Sequence, residues 1–569
     1  MRRYLILSIL CQMMMLAASA QESISLIGSW DFATGDSAAY HDYVMLPGSM
    51  QTNGKDSAYV GKAWYKKDVY IPQSWEERHV SLFLERIQAA STIFVNGVRA
   101  GHQTSPSIPH HYNVTPCIKP GRRNTIEVCI ENQNGWNGII GKLELRSQPG
   151  DLYIRQVKLN TTPFAGILQL DVELGGIIDF FSSDVMAVLV KREGVDSAEV
   201  VENYFDVTSN HMVVHTWIGN EIALWSEFYP HLYRMGIFVG NDYYETTFGM
   251  REITVDEGML MTNQRPFFLR GAMENGCFTG TDYPPTDEAS WTRIFKKLKE
   301  YGMNYMRCKG YCPPDDAFTA ADKIGIYLQP DGPDLQAIAD TYSRHPSLLM
   351  LPDSLLHTQL LEVKETAEGQ VIPSYKQVIE QHLRDDNYSG FLLPLNDNCE
   401  HVGILDAQWR EKGYAKAAEW TEFCNPVVAL AKFSQPTYTT ADTLEVAVEA
   451  YNAMYGDIDT VRTTYYINDD SLQVVTGGQL SSKVIPLGKH TDLGVIRFPL
   501  DNVKRTGKLT LTVQIAGKIK NHWDFWVYPK QETTNQKNTN VYEEEFTTAA
   551  GRHDDQSRIS TDKAGVDSR

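Results

Sequence analysis

Between Arg265 and Asp334 the hydrophobic pattern switches from strand period to helix period and back again, and few folds accommodate that alternation. Residues 266–269 read as a short apolar strand, residues 304–307 read as another, and between them Trp291, Ile294, Phe295 and Leu298 stand at helical spacing. Ser290 is placed to cap this helix and Gly302 to stop it. A second helix over residues 314–323 ends at Gly325 and leads into a strand over residues 326–329. Regular strand–helix alternation predicts the opening of a parallel α/β barrel, in which polar residues at the C-terminal ends of strands face the site. Arg307, Lys309 and Asp331 fall at such ends and are the first candidate substrate-binding residues.

The flanks of this stretch read differently. Residues 21–150 are short strands broken by Gly, Pro and Asn, with Asn96-Gly97 marking a tight hairpin, and they predict an all-β sandwich. Residues 151–253 form a second β unit with strands near 167–174, 185–190 and 212–217, and residues 431–530 a third of immunoglobulin-like type. The barrel-like segment is then 254–430, and the polar residues 531–569 are expected to be a disordered tail. A length of 569 residues suits such a multidomain β plus α/β chain.

Residues 1–20 have the form of a secretory leader: Arg2 and Arg3, an apolar run, and Ala18-Ser19-Ala20 as a cleavage site. The expectation is a periplasmic or secreted protein. A lipid anchor at Cys11 is disfavoured by the bulky Leu10 before it. Losing the leader's two arginines would move the formal charge from −19 to −21. Such a surface repels phosphate backbones, so nucleic acid is not an expected partner, and no later run has the length of a membrane span. The cysteines are too sparse for a disulfide framework, and Cys308 and Cys312 lack companion histidines at metal spacing, so buried thiols are the expectation there.

Several phrases, in order, carry a family resemblance. Gly28-Ser29-Trp30-Asp31-Phe32, Leu46-Pro47-Gly48-Ser49, Trp64-Tyr65-Lys66-Lys67, Phe83-Leu84-Glu85-Arg86, Val95-Asn96-Gly97 and the stretch from His110 to Thr115 resemble the jelly-roll sugar-binding domain of glycoside hydrolase family two. That family includes β-galactosidases, β-glucuronidases and β-mannosidases. The stretch from Trp136 to Leu145 resembles the closing strands of that domain in Bacteroidetes enzymes, and Phe248-Gly249-Met250-Arg251 resembles the immunoglobulin-like domain before the barrel. Trp225 and Tyr229 could serve there as a sugar-stacking platform, but packing of a strand end is the favoured reading. Arg265-Pro266-Phe267-Phe268-Leu269-Arg270-Gly271 then resembles the barrel's opening phrase, and Arg307 matches an arginine that the family sets near the sugar.

The resemblance implies hydrolysis of O-glycosidic bonds of β-linked terminal sugars with no cofactor, by two carboxyl groups about 5–5.5 Å apart. Here the sequence departs from the family. Residues 344–351 resemble the fourth barrel strand, yet the Asn-Glu that would hold the general acid is replaced by Pro352-Asp353-Ser354. Asp353 is a weak candidate acid, and the nucleophile is unassigned. Glu362, Glu365 and Glu368 lie in a charged, loop-like run. Residues 390–397 then resemble the eighth strand, with Asn396 and Asp397 as further substrate-binding candidates. The segment 254–430 has 177 residues against about 250 for a full barrel, so the expectation is a shortened barrel lacking strands five to seven. Two functions stay open: a degenerate glycoside hydrolase, and a non-catalytic carbohydrate-binding or scaffold protein of the same descent. Open barrel edges would also permit self-association.

Overall fold

The computed structural model describes residues 21–133, 136–178, 184–195, 198–256, 259–351, 360–362, 371–385, 388–397 and 403–530. Asp353, Glu365, Glu368 and the tail after 530 lie outside the described residues.

The N-terminal unit is two antiparallel sheets face to face. One has five strands, among them Gly138–Gln148, His79–Arg86 and His110–Asn113; the other has six, with Gly61–Ile71 and Arg122–Asn132 near its centre. Alternation sets the inner face, so that Val80, Leu82 and Leu84 are fully buried against Trp30, Ile93 and Val128. Asn96 and Gly97, at φ 53° and 79°, make the two-residue turn between Ser91–Val95 and Val98–Gln103. A second sandwich pairs a three-stranded sheet (Leu152–Thr162, Ile167–Gly176, His211–Trp217) with a four-stranded one that includes Val185–Arg192 and Tyr233–Val239. The C-terminal sandwich pairs three strands with five over Val427–Tyr528.

Between the last two lies a parallel sheet. Its strands are β1 (Leu269–Glu274), β2 (Tyr305–Cys308), β3 (Tyr327–Gln329), β4 (Leu360–Glu362) and β5 (Gly390–Pro394), in the spatial order β3-β2-β1-β5-β4. The helices α1 (Glu288–Glu300), α2 (Asp315–Ile324), α3 (Leu335–Thr341) and α4 (Val371–His382) form its connections. One sheet face carries Ala272, Met306, Leu328, Phe391 and Leu393 against Trp291 and Phe295 of α1, Phe318 of α2 and Ile379 of α4. The opposite face gathers Leu269, Tyr305, Tyr327, Leu360 and Leu392 with Trp225 and Leu349. Both faces are apolar, as a sheet buried on two sides requires.

Several sequence readings shift here. The first parallel strand begins at Leu269 rather than at 266, because Arg265–Pro266 pairs back onto Met259–Thr262 in an antiparallel ribbon. Asp287, not Ser290, caps α1: its carboxylate accepts the Ser290 N–H at 2.8 Å. Gly325, at φ 80°, ends α2 in the left-handed conformation, and its N–H reaches Ala321. Among the described residues, the stretch read as the fourth strand makes one parallel bridge, between Leu328 and Leu348. Glu362, read as part of a loop, instead closes β4, in register with Leu392 of β5. Two consecutive leucines before it were too short a run to outweigh the charged residues that follow. Trp225 is fully buried, donates to the Asp322 carbonyl at 2.8 Å and stands edge-on to Tyr327, so it is a packing residue and not a platform. Tyr229 is half exposed and meets the ring of Tyr455 edge-on.

Candidate functional site at the strand ends

The C-terminal ends of β1, β2, β3 and β5 lie along one edge of the sheet, because their registers align Met273 with Arg307, Arg307 with Gln329, and Met273 with Pro394. In parallel α/β sheets this edge is where ligands are held, since the connecting loops converge there.

Glu274 ends β1 at the middle of the sheet and is completely buried. Its Oε2 accepts the Tyr311 phenol at 2.6 Å and the Gly276 N–H at 2.7 Å, while Oε1 has no hydrogen-bond partner. Burial pushes this carboxyl above its ordinary value, against the pull of the Tyr311 phenol and of backbone N–H groups that favour the ionised form. Tyr311 is itself buried, and its phenol is raised by burial and by the neighbouring Cys308 and Glu274. Sequence reading missed this pair because the strand was placed too early, which left Glu274 in an apparent loop. The signal was nonetheless present as a carboxylate closing an apolar run ahead of Asn275-Gly276.

The predicted residues separate into two groups. Arg307 is partly buried at the end of β2, Lys309 is exposed on the turn after it, and the Lys309 N–H reaches the Glu274 carbonyl at 2.6 Å. Asp331 follows β3 and ties that turn down, its carboxylate accepting Gly310 N–H at 3.1 Å and Gly332 N–H at 2.8 Å. These three therefore belong to one constellation with Glu274 and Tyr311. Asn396 and Asp397 follow β5. Asp397 is held by a salt bridge to Lys412 and by the Gly403 N–H at 2.9 Å, an arrangement that stabilises its own loop. Asn396 is buried, with Oδ1 unpartnered.

Cys308 and Cys312 are free and buried, with both thiols raised by burial, that of Cys312 to about 11. Cys277, three residues past Glu274, is disulfide-bonded and so staples the first loop of the edge, a link that the sparse cysteine count gave no reason to expect. No group of three or more metal-ligating side chains occurs among the described residues.

The N-terminal sandwich walls this edge. Arg86, almost fully buried, donates to the Ser107 carbonyl at 2.6 Å, the Pro313 carbonyl at 2.6 Å and the Tyr342 phenol at 2.7 Å. Ser105 donates to Asp334 just beyond Asp331, and a Cβ on Gly332 would stand 2.4 Å from Ser107 Oγ, so the wall approaches as closely as glycine allows. On the other flank the Trp136 ring lies 6.2 Å from that of Tyr283. A separate cleft of about 450 Å³, lined by Trp75, His79 and Tyr153, lies between the first two sandwiches and shares no residue with this edge.

The parallel sheet, with charged residues at its strand ends, is thus preceded by two β-sandwiches and followed by a third. Comparison with known proteins gives the class: this is a glycoside hydrolase family two-like chain. It is 23% identical to a β-glucuronidase of Streptococcus agalactiae over 349 residues, 55% of this chain and 57% of that protein. It is 22% identical to a β-galactosidase of Leuconostoc mesenteroides over 46% of this chain and 28% of that one. The chain thus spans little more than half of the first relative and under a third of the second. Among solved structures, a Bacteroides uniformis β-glucuronidase aligns over 90% of this chain and 80% of its own, with a TM-score of 0.59 at 13% identity. A family two member from Bacteroides cellulosilyticus aligns over 89% and 84%, also with a TM-score of 0.59, at 12% identity. Residues 442–529 match a domain of unknown function, DUF8488.

Proposed function

We propose that this chain is an exported family two-like protein that takes the terminal sugar of a β-linked glycan at the C-terminal edge of its parallel sheet, and that its hydrolytic centre is reduced. The observation that carries the reading is the joining of Arg307, Asp331, Glu274 and Tyr311 at adjoining strand ends under a wall from the N-terminal sandwich. A terminal uronic acid suits this edge best, because Arg307 and Lys309 are cations in an otherwise acidic chain, and relatives that match are named β-glucuronidases.

Reduction of the centre follows from the short segment 254–430 and the replacement of Asn-Glu by Pro352-Asp353. Glu362 of the charged run has a strand position, at the end of β4 beside β5. Assay of the purified protein on aryl β-glycosides, β-glucuronides included, is expected to give binding with little or no turnover. Turnover abolished by Asp353→Asn and by Glu362→Gln would overturn the reduced reading and assign both carboxyls. Export is checked by N-terminal sequencing of the secreted or periplasmic fraction, with a start near Gln21 expected. Light scattering tests pairing through the β4 edge, which a monomer at all concentrations would rule out.

A further inference from the structure

We propose that the outer face of the second sandwich's three-stranded sheet is a binding platform for an uncharged glycan chain, separate from the strand-end edge and independent of what that edge does. The strand His211–Trp217 is the free edge of this sheet, and its alternating pattern turns His215 and Trp217 outwards. Trp217 is 51% exposed, and Phe164, on the turn that joins the other two strands, is 52% exposed. The two belong to one corner, since a Cβ on Gly166 would meet Trp217 Nε1 at 3.5 Å. An indole and a phenyl ring left half in water on a rigid turn cost solvation unless something covers them.

What lies behind the rings decides the ligand class. The next row of the same face is Asn160, Gln169 and His215, aligned across the three strands by register. None of the three side chains has a hydrogen-bond partner among the described residues. Neighbouring strands stand roughly 4.8 Å apart, so the row presents amide and imidazole groups at intervals on the scale of one sugar ring. In the adjoining row Lys158 is paired with Asp340 at 2.7 Å, and Asp171 accepts from His211 at 2.7 Å. A flat surface with aromatic rings at one end, neutral donors and acceptors beside them and no unpaired charge in the adjoining row matches pyranose faces and hydroxyl groups. It matches an anionic chain poorly, and the acidic chain as a whole opposes one.

The test is native electrophoresis of the full chain through gels containing barley β-glucan, xylan, galactomannan or arabinogalactan. At least one should retard the wild type. Trp217→Ala should weaken that retardation about tenfold or more, Trp217→Phe should keep part of it, and Asn160→Ala with Gln169→Ala should give an intermediate loss. Each variant should melt with the wild type, since Trp217 is half exposed, and should leave any aryl-glycoside turnover unchanged. The proposal is overturned if no neutral polysaccharide retards the wild type, or if Trp217→Ala is retarded equally. It is overturned too if Trp217→Ala merely converts a dimer into a monomer in light scattering, which would make the patch a protein interface.

Discussion

Glu274→Gln offers a direct physical test of the strand-end edge. The wild-type carboxyl is buried with one oxygen unpartnered, and burial lifts it above the value of about 4.5 that it has when exposed. The folded chain therefore holds a proton that the unfolded chain has released, so stability falls as pH rises from the unfolded value to the folded one, and is level above it. Each tenfold displacement of that proton equilibrium is worth ~1.4 kcal/mol at neutral pH. Glutamine has no proton to lose. Its amide oxygen can take the Tyr311 and Gly276 donors now at 2.6 and 2.7 Å, and its NH₂ falls where Oε1 has no partner. Burying that NH₂ costs about 1–3 kcal/mol at every pH, which displaces the whole curve without tilting it. The difference in unfolding free energy, variant minus wild type, should therefore climb as pH rises from 4 towards 7.5. Urea melts of the full chain across that range measure it. A difference that is flat or declines with pH would refute the assignment of a proton-holding carboxyl. Tyr311→Phe is the companion variant: it removes the phenol that favours the ionised Glu274, so the carboxyl should rise further and the variant's stability should fall more than the wild type's as pH rises.

Three further outcomes follow from the packing. Arg86→Ala strips the partners from the Ser107 and Pro313 carbonyls and the Tyr342 phenol in a buried joint, so a loss of about 3–5 kcal/mol and early protease release of the N-terminal sandwich are expected, with little rescue by Arg86→Lys. His345 is fully buried; burial and Arg344 lower its affinity for a proton, but Asp322 at 2.6 Å and Asp315 at 3.3 Å raise it further, leaving it net raised. Its contribution is then complete below the unfolded value of about 6.5 and lost as pH climbs through the folded one, so the stability gap between wild type and His345→Asn should narrow in melts above pH 6.5. Gly332→Ala places a methyl 2.4 Å from buried Ser107 Oγ at φ 155°, and should lower stability by about 1–3 kcal/mol while weakening any sugar binding measured by calorimetry at the walled edge.

Much of the strand-end edge was legible because strand–helix alternation is a local signal. Trp291, Ile294, Phe295 and Leu298 repeat within one helix, and Gly325 stops the next one by a backbone conformation that few other residues take. Arg307 and Asp331 could be placed at strand ends for the same reason. What escaped depends on contacts distant in sequence. The start of β1 is fixed by the ribbon that pairs Arg265–Pro266 with Met259–Thr262, and that pairing moves Glu274 from loop to strand end. Glu362 becomes a strand residue through β5, some thirty positions on, with Leu360 and Leu361 the one local hint. Trp225 reads alike from sequence whether it faces water or Tyr327, and the difference lies in the tertiary packing.

The joint between Arg86, Ser107 and Pro313 also bears on the order of assembly. Its partners are 227 residues apart where Arg86 meets Pro313, and 229 where Ser105 meets Asp334. During synthesis the sandwich bearing Arg86 can collapse on its own core well before the ribosome has delivered Tyr342. The groove comes into being only when a finished β domain captures a later, half-made sheet, so a chain stalled near residue 300 would carry a folded wall with nothing yet beneath it.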